Sequence, residues 1–92
     1  AHVTGVKLTD GSVVPADVVL VSIGATPETT LAEAGGLAVR DGILVDGEAR
    51  TSAMDVYAAG DCARFDSALY GRSIRLESVQ NAIDQAKAAA AS

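Results

Sequence analysis

The chain has 92 residues, 49% of them apolar and only 3% aromatic, with 12 acidic against 7 basic side chains and a net charge of −5. That length allows at most one modest domain, with a core of Val, Ile, Leu and Ala, and the acidic balance argues against nucleic acid as a partner. No apolar run is long enough to cross a bilayer, no basic-plus-apolar leader is seen, and a lone cysteine forms neither an internal disulfide nor a Cys-x-x-Cys pair, so the expected setting is cytoplasmic with no membrane contact.

The first predicted element is a hairpin over residues 1–15. Val6 and Leu8 alternate with polar neighbours, Asp10-Gly11 is a two-residue turn signal, Val13-Val14 return, and Pro15 ends the pairing. His2 reads as a solvated residue beside the terminus. Val18-Val19-Leu20-Val21 is a continuous apolar run, as expected of a strand covered on both faces. Gly24 ends it and Pro27 sets its exit. Residues 28–34 predict a short helix, with Thr29 or Thr30 as N-cap and Gly35 closing it in the left-handed conformation. Leu37 to Val39 and Ile43 to Val45 flank Asp41-Gly42, a second hairpin signal. Residues 46–50 read as a polar turn, in which Arg50 is an ordinary surface charge.

Asp55-Val56-Tyr57-Ala58-Ala59-Gly60-Asp61-Cys62 reads as a short buried strand that stops at a glycine and presents one carboxylate. Asp61 then lies at the carboxyl end of a strand, where open α/β sheets bind ligands. As an acceptor-only group it suits a sugar or polyol hydroxyl; a strand-ending turn with a capping aspartate explains the same residues. Cys62 reads as small packing material. Residues 63–70 suggest one or two helical turns, broken by Gly71 and Arg72. Arg72 and Arg75 read as a solvated basic turn or as contacts to an electron acceptor. The last segment is the clearest helix. Ser78 is a good N-cap, and Val79, Ala82, Ile83, Ala86 and Ala90 recur at offsets of three and four to form one apolar stripe. Lys87 lies off it, either solvated or available to an acidic partner.

Three stretches carry a family resemblance. Residues 51–61, Thr51-Ser52-Ala53-Met54-Asp55-Val56-Tyr57-Ala58-Ala59-Gly60-Asp61, resemble the second flavin-binding motif of the two-dinucleotide-binding-domain flavoproteins. Val21-Ser22-Ile23-Gly24-Ala25-Thr26-Pro27 resembles their Gly-x-x-Pro junction between the NAD and FAD domains. Residues 75–86, beginning Arg75-Leu76-Glu77-Ser78-Val79-Gln80-Asn81, resemble the flavin-facing helix of the ferredoxin reductases of oxygenase and P450 electron-transfer chains. Their order and spacing match the ferredoxin reductase type of the FAD-dependent pyridine nucleotide-disulfide oxidoreductase superfamily.

The resemblance implies an α/β fold: part of a Rossmann-like FAD/NAD(P)-binding fold, with β-hairpins and a C-terminal amphipathic helix. Residues 1–27 would be the end of the NAD-binding domain and residues 28–92 the second segment of the FAD-binding domain. It implies FAD bound by Gly60, Asp61, Ser78 and Val79. Asp61 would accept from a ribityl hydroxyl, Gly60 would let the cofactor approach closely, and the Val79 amide would point at the flavin. Ile23, Gly24 and Glu77 would lie on the NAD side, although Glu77 equally suits an ion pair with Arg75. The implied activity is transfer of electrons from NAD(P)H through FAD to an iron–sulfur ferredoxin. Other members of the superfamily, such as disulfide reductases and NADH oxidases, share these motifs.

No Gly-x-Gly-x-x-Gly loop occurs among the nine glycines, and such loops hold the pyrophosphate in Rossmann units. The chain therefore reads as an internal piece of a longer reductase. By itself it is expected not to hold FAD or NAD(P)H, and to self-associate as an inert α/β fragment. No metal-ligand cluster is evident, and a Ser-His-Asp arrangement would have to recruit His2 without any supporting motif.

Overall fold

The computed structural model describes all 92 residues. It opens with β1 (Gly5–Lys7) and β2 (Val13–Pro15), an antiparallel hairpin in which Val6 faces Val14. The predicted two-residue turn is a three-residue loop instead. The Leu8 amide donates to the Ser12 carbonyl (2.8 Å) and the Gly11 amide to the Leu8 carbonyl (3.0 Å), leaving Thr9, Asp10 and Gly11 between. The Asp10 carboxylate accepts from the Ser12 amide and hydroxyl, which secures the loop and lowers its pKa. Pro15 does not end the pairing, because the Ala16 amide still reaches the Thr4 carbonyl (3.1 Å).

The run at residues 18–21 is not a strand. It takes no part in a ladder, and Val18 and Leu20 are 86% and 87% exposed. A buried strand needs a ladder partner at its edge and packed layers on its faces, and residues 18–21 have neither.

Helix α1 (Thr30–Ala34) forms where expected, with Thr29 as N-cap. Thr29 makes no capping bond through its side chain; its hydroxyl meets the Glu33 carboxylate, and Glu28 accepts the Thr30 amide. The left-handed residue is Gly36 (φ 76°), not Gly35, which is still helical (φ −79°). The Gly36 amide bonds to Glu33 and the Leu37 amide to Ala32, both at 3.0 Å, the paired closure of a Schellman motif.

β3 (Ile43–Val45), β4 (Ala63–Ser67) and β5 (Arg72–Arg75) form one sheet in that order, β3–β4 parallel and β4–β5 antiparallel. The Asp41-Gly42 turn forms, but only Val39 bridges back to Ile43; β3 takes its main partner from β4. The guanidinium of Arg64 pins this turn, through an ion pair to the Asp41 carboxylate (2.9 Å) and a bond to the Asp41 carbonyl. Residues 63–70, expected to be helical, are β4 and a turn. Ala63 and Phe65 alternate with Arg64 and Asp66, the period of a strand, and Phe65 pairs across with Ile74.

Helix α2 (Val79–Ala91) runs out from the sheet, capped as predicted: Ser78 is extended and its hydroxyl accepts the Asn81 amide (3.2 Å). Only six residues are buried, among them Ala32, Ile43, Ala49 and Ala63.

Candidate functional site

Residues 55–61 do not form the predicted buried strand. Tyr57 makes a single bridge to Arg50, while Val56 and Tyr57 are exposed. Backbone bonds to residues 49–51 hold the segment's first half, and α2 holds the Gly60 end. The Gly60 amide donates to the Gln85 side-chain oxygen (2.8 Å), and Gln85 also accepts from Asn81 (3.2 Å), whose amide group reaches back to the Leu76 carbonyl. Gly60 is buried at φ 89°, and a Cβ there would lie 3.4 Å from the Cβ of Ala82. The glycine therefore serves a left-handed turn, a reason independent of any cofactor.

This latch brings Asp61 to the mouth of α2. A cavity of about 540 Å³ is lined there by Asp61, Glu77, Ser78 and Val79, with Ala82, Ile83 and Ala86 forming its apolar wall. The Asp61 carboxylate is exposed and has no hydrogen bond or ion pair within the chain. The amides of Val79 and Gln80 precede the first intrahelical acceptor, and no side chain takes them. One cavity thus offers an acceptor-only carboxylate, free N–H donors at the positive end of a helix, and an apolar surface. Four residues of the α2 stripe, Val79, Ala82, Ile83 and Ala86, line this cavity rather than a packed core: Val79 and Ile83 are exposed, while Asn81 and Gln85 are half-buried and bonded to Leu76 and Gly60.

Glu77 stands at the same mouth, paired with Arg75 (2.7 Å). Arg75 is no solvated basic residue, since its side chain is only 11% exposed and donates to the carbonyls of Asp61 and Ala25, both at 3.0 Å. The Glu77–Arg75 ion pair expected from the sequence forms, whereas the bond from Gly60 to Gln85 has no counterpart among the expectations. The Arg-x-Glu spacing was a usable signal, because residues two apart on an extended segment share a face. Ile23 and Gly24 do not join the cavity; Ile23 is 91% exposed, and only the neighbouring Ala25 carbonyl is drawn in, through Arg75.

The family model for pyridine nucleotide-disulphide oxidoreductases matches residues 1–86. The chain belongs to that family. It is 48% identical to putidaredoxin reductase of Pseudomonas putida over 89 residues, covering 97% of this chain and 21% of that protein. Among solved structures, the ferredoxin reductase for the CYP199A2 system of Rhodopseudomonas palustris superposes with a TM-score of 0.84 at 48% identity, over 98% of this chain and 22% of that one. The reductase in a covalent putidaredoxin reductase–putidaredoxin complex superposes with a TM-score of 0.80, also at 48% identity, over 96% of this chain and 21% of that one. The chain spans about a fifth of the length of these relatives. Its fold, a mixed α/β arrangement with a hairpin, a small sheet and a terminal helix, is that of the corresponding part of these FAD/NAD-binding reductases.

Proposed function

We propose that this chain is the part of an NAD(P)H-dependent, FAD-containing ferredoxin reductase that completes its flavin site. Residues 1–27 are then the end of the NAD-binding domain and residues 28–92 the second segment of the FAD-binding domain. The observation that carries the reading is the shared cavity of Asp61 and the α2 N-terminus. Its donor set fits a flavin nucleotide, which carries hydroxyls that need an acceptor and ring oxygens that need donors.

Bound FAD supplies the redox chemistry, with hydride taken from NAD(P)H and single electrons passed to an iron–sulfur ferredoxin. The chain's own residues bind and tune. Asp61 would hold the cofactor by accepting a hydrogen bond from a ribityl hydroxyl. The Val79 amide would be the donor to the cofactor, and the α2 N-terminus would give a positive potential there, favouring extra electron density without a mobile charge. Val79, Ala82, Ile83 and Ala86 would offer the cofactor an apolar surface to lie against. The pyrophosphate is held by residues outside this chain, which has no glycine-rich phosphate loop.

Support for a ferredoxin partner comes from the relatives, one of which was solved covalently joined to putidaredoxin. The cytoplasm is the compartment this reading implies, since the electron donor is there; no helix is long and apolar enough to cross a membrane. The test is reduction of an iron–sulfur ferredoxin by the full-length protein, given FAD and either NADH or NADPH. FAD-dependent turnover is expected; none with either nucleotide ends the reading.

A second reading concerns the 92-residue chain alone. Its radius of gyration is 18.0 Å, against roughly 12 Å for a compact domain of this length. With exposed apolar residues along 18–23, this favours self-association through surfaces that find no cover within the chain.

A further inference from the structure

Arg75, at the end of β5, is more deeply enclosed than any charge in the sequence led one to expect. Its Nη1 donates to the Asp61 carbonyl (3.0 Å) and pairs with Glu77 (2.7 Å), while Nη2 donates to the Ala25 carbonyl (3.0 Å). Nε is buried without a partner, so the side chain is held by its tip. Room for its stem comes from Gly42, where a Cβ would lie 3.0 Å from Arg75 Cδ.

Two consequences follow from this geometry. The bond to Ala25 is the single hydrogen bond that joins residues 1–27 to residues 28–92. Glu77 lines the mouth of the cavity, directly before the N-cap of α2. Left unpaired, its negative charge would oppose the positive potential of the helix end and any electron-rich group bound there.

We propose that Arg75 is a positioning residue of this site, neutralising Glu77 at the cavity mouth and tying the Asp61 turn to the segment that ends at Ala25. The proposal rests on the flavin reading for its cofactor readouts only; the tie itself is read without cofactor. In the full-length protein, Arg75→Gln is expected to weaken FAD binding about tenfold, the scale of a lost charge-assisted contact, and to lower the midpoint potential of the bound flavin. Adding Glu77→Gln to Arg75→Gln is expected to restore the potential to that of Glu77→Gln alone, a recovery that a purely structural loss would not give. Arg75→Lys keeps the charge but cannot span both carbonyls. It is expected to hold the potential near wild type while hydrogen exchange in residues 22–26 of the apoprotein speeds up.

A double variant no better than Arg75→Gln overturns the neutralising role. Unchanged exchange in Arg75→Lys overturns the tie, and does so even if Arg75→Gln fails to fold. If the wild-type protein binds no FAD, the flavin reading falls by itself. Apoprotein exchange in residues 22–26 and 58–62 then decides for Arg75: faster in the variants supports the tie, and unchanged rejects it.

Discussion

Gly60 has a conformational job at its position. Its φ of 89° is costly for any side chain, while the 3.4 Å from a Cβ to Ala82 would be ordinary contact. Gly60→Ala in the full-length protein is expected to cost about 1–2 kcal/mol, the penalty of a left-handed L-residue, as read by chemical denaturation. Asp46 is the other residue with a clear local task. Its carboxylate accepts the amides of Arg50 and Glu48 (both 2.9 Å), and these bonds hold its pKa below the ordinary 3.8. Such a group stabilises the fold above its unfolded pKa, and the contribution is lost as pH falls through the lowered folded value. Asp46→Ala should therefore melt below wild type at neutral pH and converge with it in strong acid. A constant gap across that range would count against the assignment. At this scale the sequence was readable where a residue acts on its immediate neighbours, as with the N-cap Ser78. It was opaque where a residue acts through a distant partner, because neither the 14-residue reach of Arg75 to Asp61 nor the 25-residue link from Gln85 to Gly60 leaves a local pattern.

Among the elements, α1, α2 and the first hairpin were legible because each is specified by neighbours in sequence: caps, turn residues and a 3.6-residue period. β4 was misread as helical because Ala68-Leu69-Tyr70 extends the apolar character past the strand into its turn, where the Gly71 amide bonds back to Ser67 (2.8 Å). The alternation of Ala63, Arg64, Phe65 and Asp66 was the better guide. Residues 18–21 and 55–61 failed as strands for another reason. Apolar composition makes a segment ready to pair, but a ladder needs a partner. For α2, the N-cap is the testable part. Ser78→Ala removes the acceptor of the Asn81 amide and is expected to cost about 1 kcal/mol. Because it also frays the helix end at the cavity, FAD affinity should fall with it. A loss of stability with unchanged affinity would separate the helix mouth from the cofactor.

Taken whole, the molecule is long rather than round, with extents of 53 × 31 × 22 Å and a sparse core. Burial this limited offsets little conformational entropy. The isolated chain is therefore expected to sediment as dimers or larger species, and to remain colourless when FAD is added; a monodisperse yellow monomer would contradict both expectations. What the whole molecule does achieve is the meeting of two segments, residues 60–61 and 77–79, around one cavity. The most direct measurement of that arrangement is FAD titration of the full-length protein beside its Asp61→Ala variant, followed by flavin fluorescence. Removing a charged acceptor should weaken binding at least tenfold; equal affinity in the two proteins would show that Asp61 does not hold the cofactor.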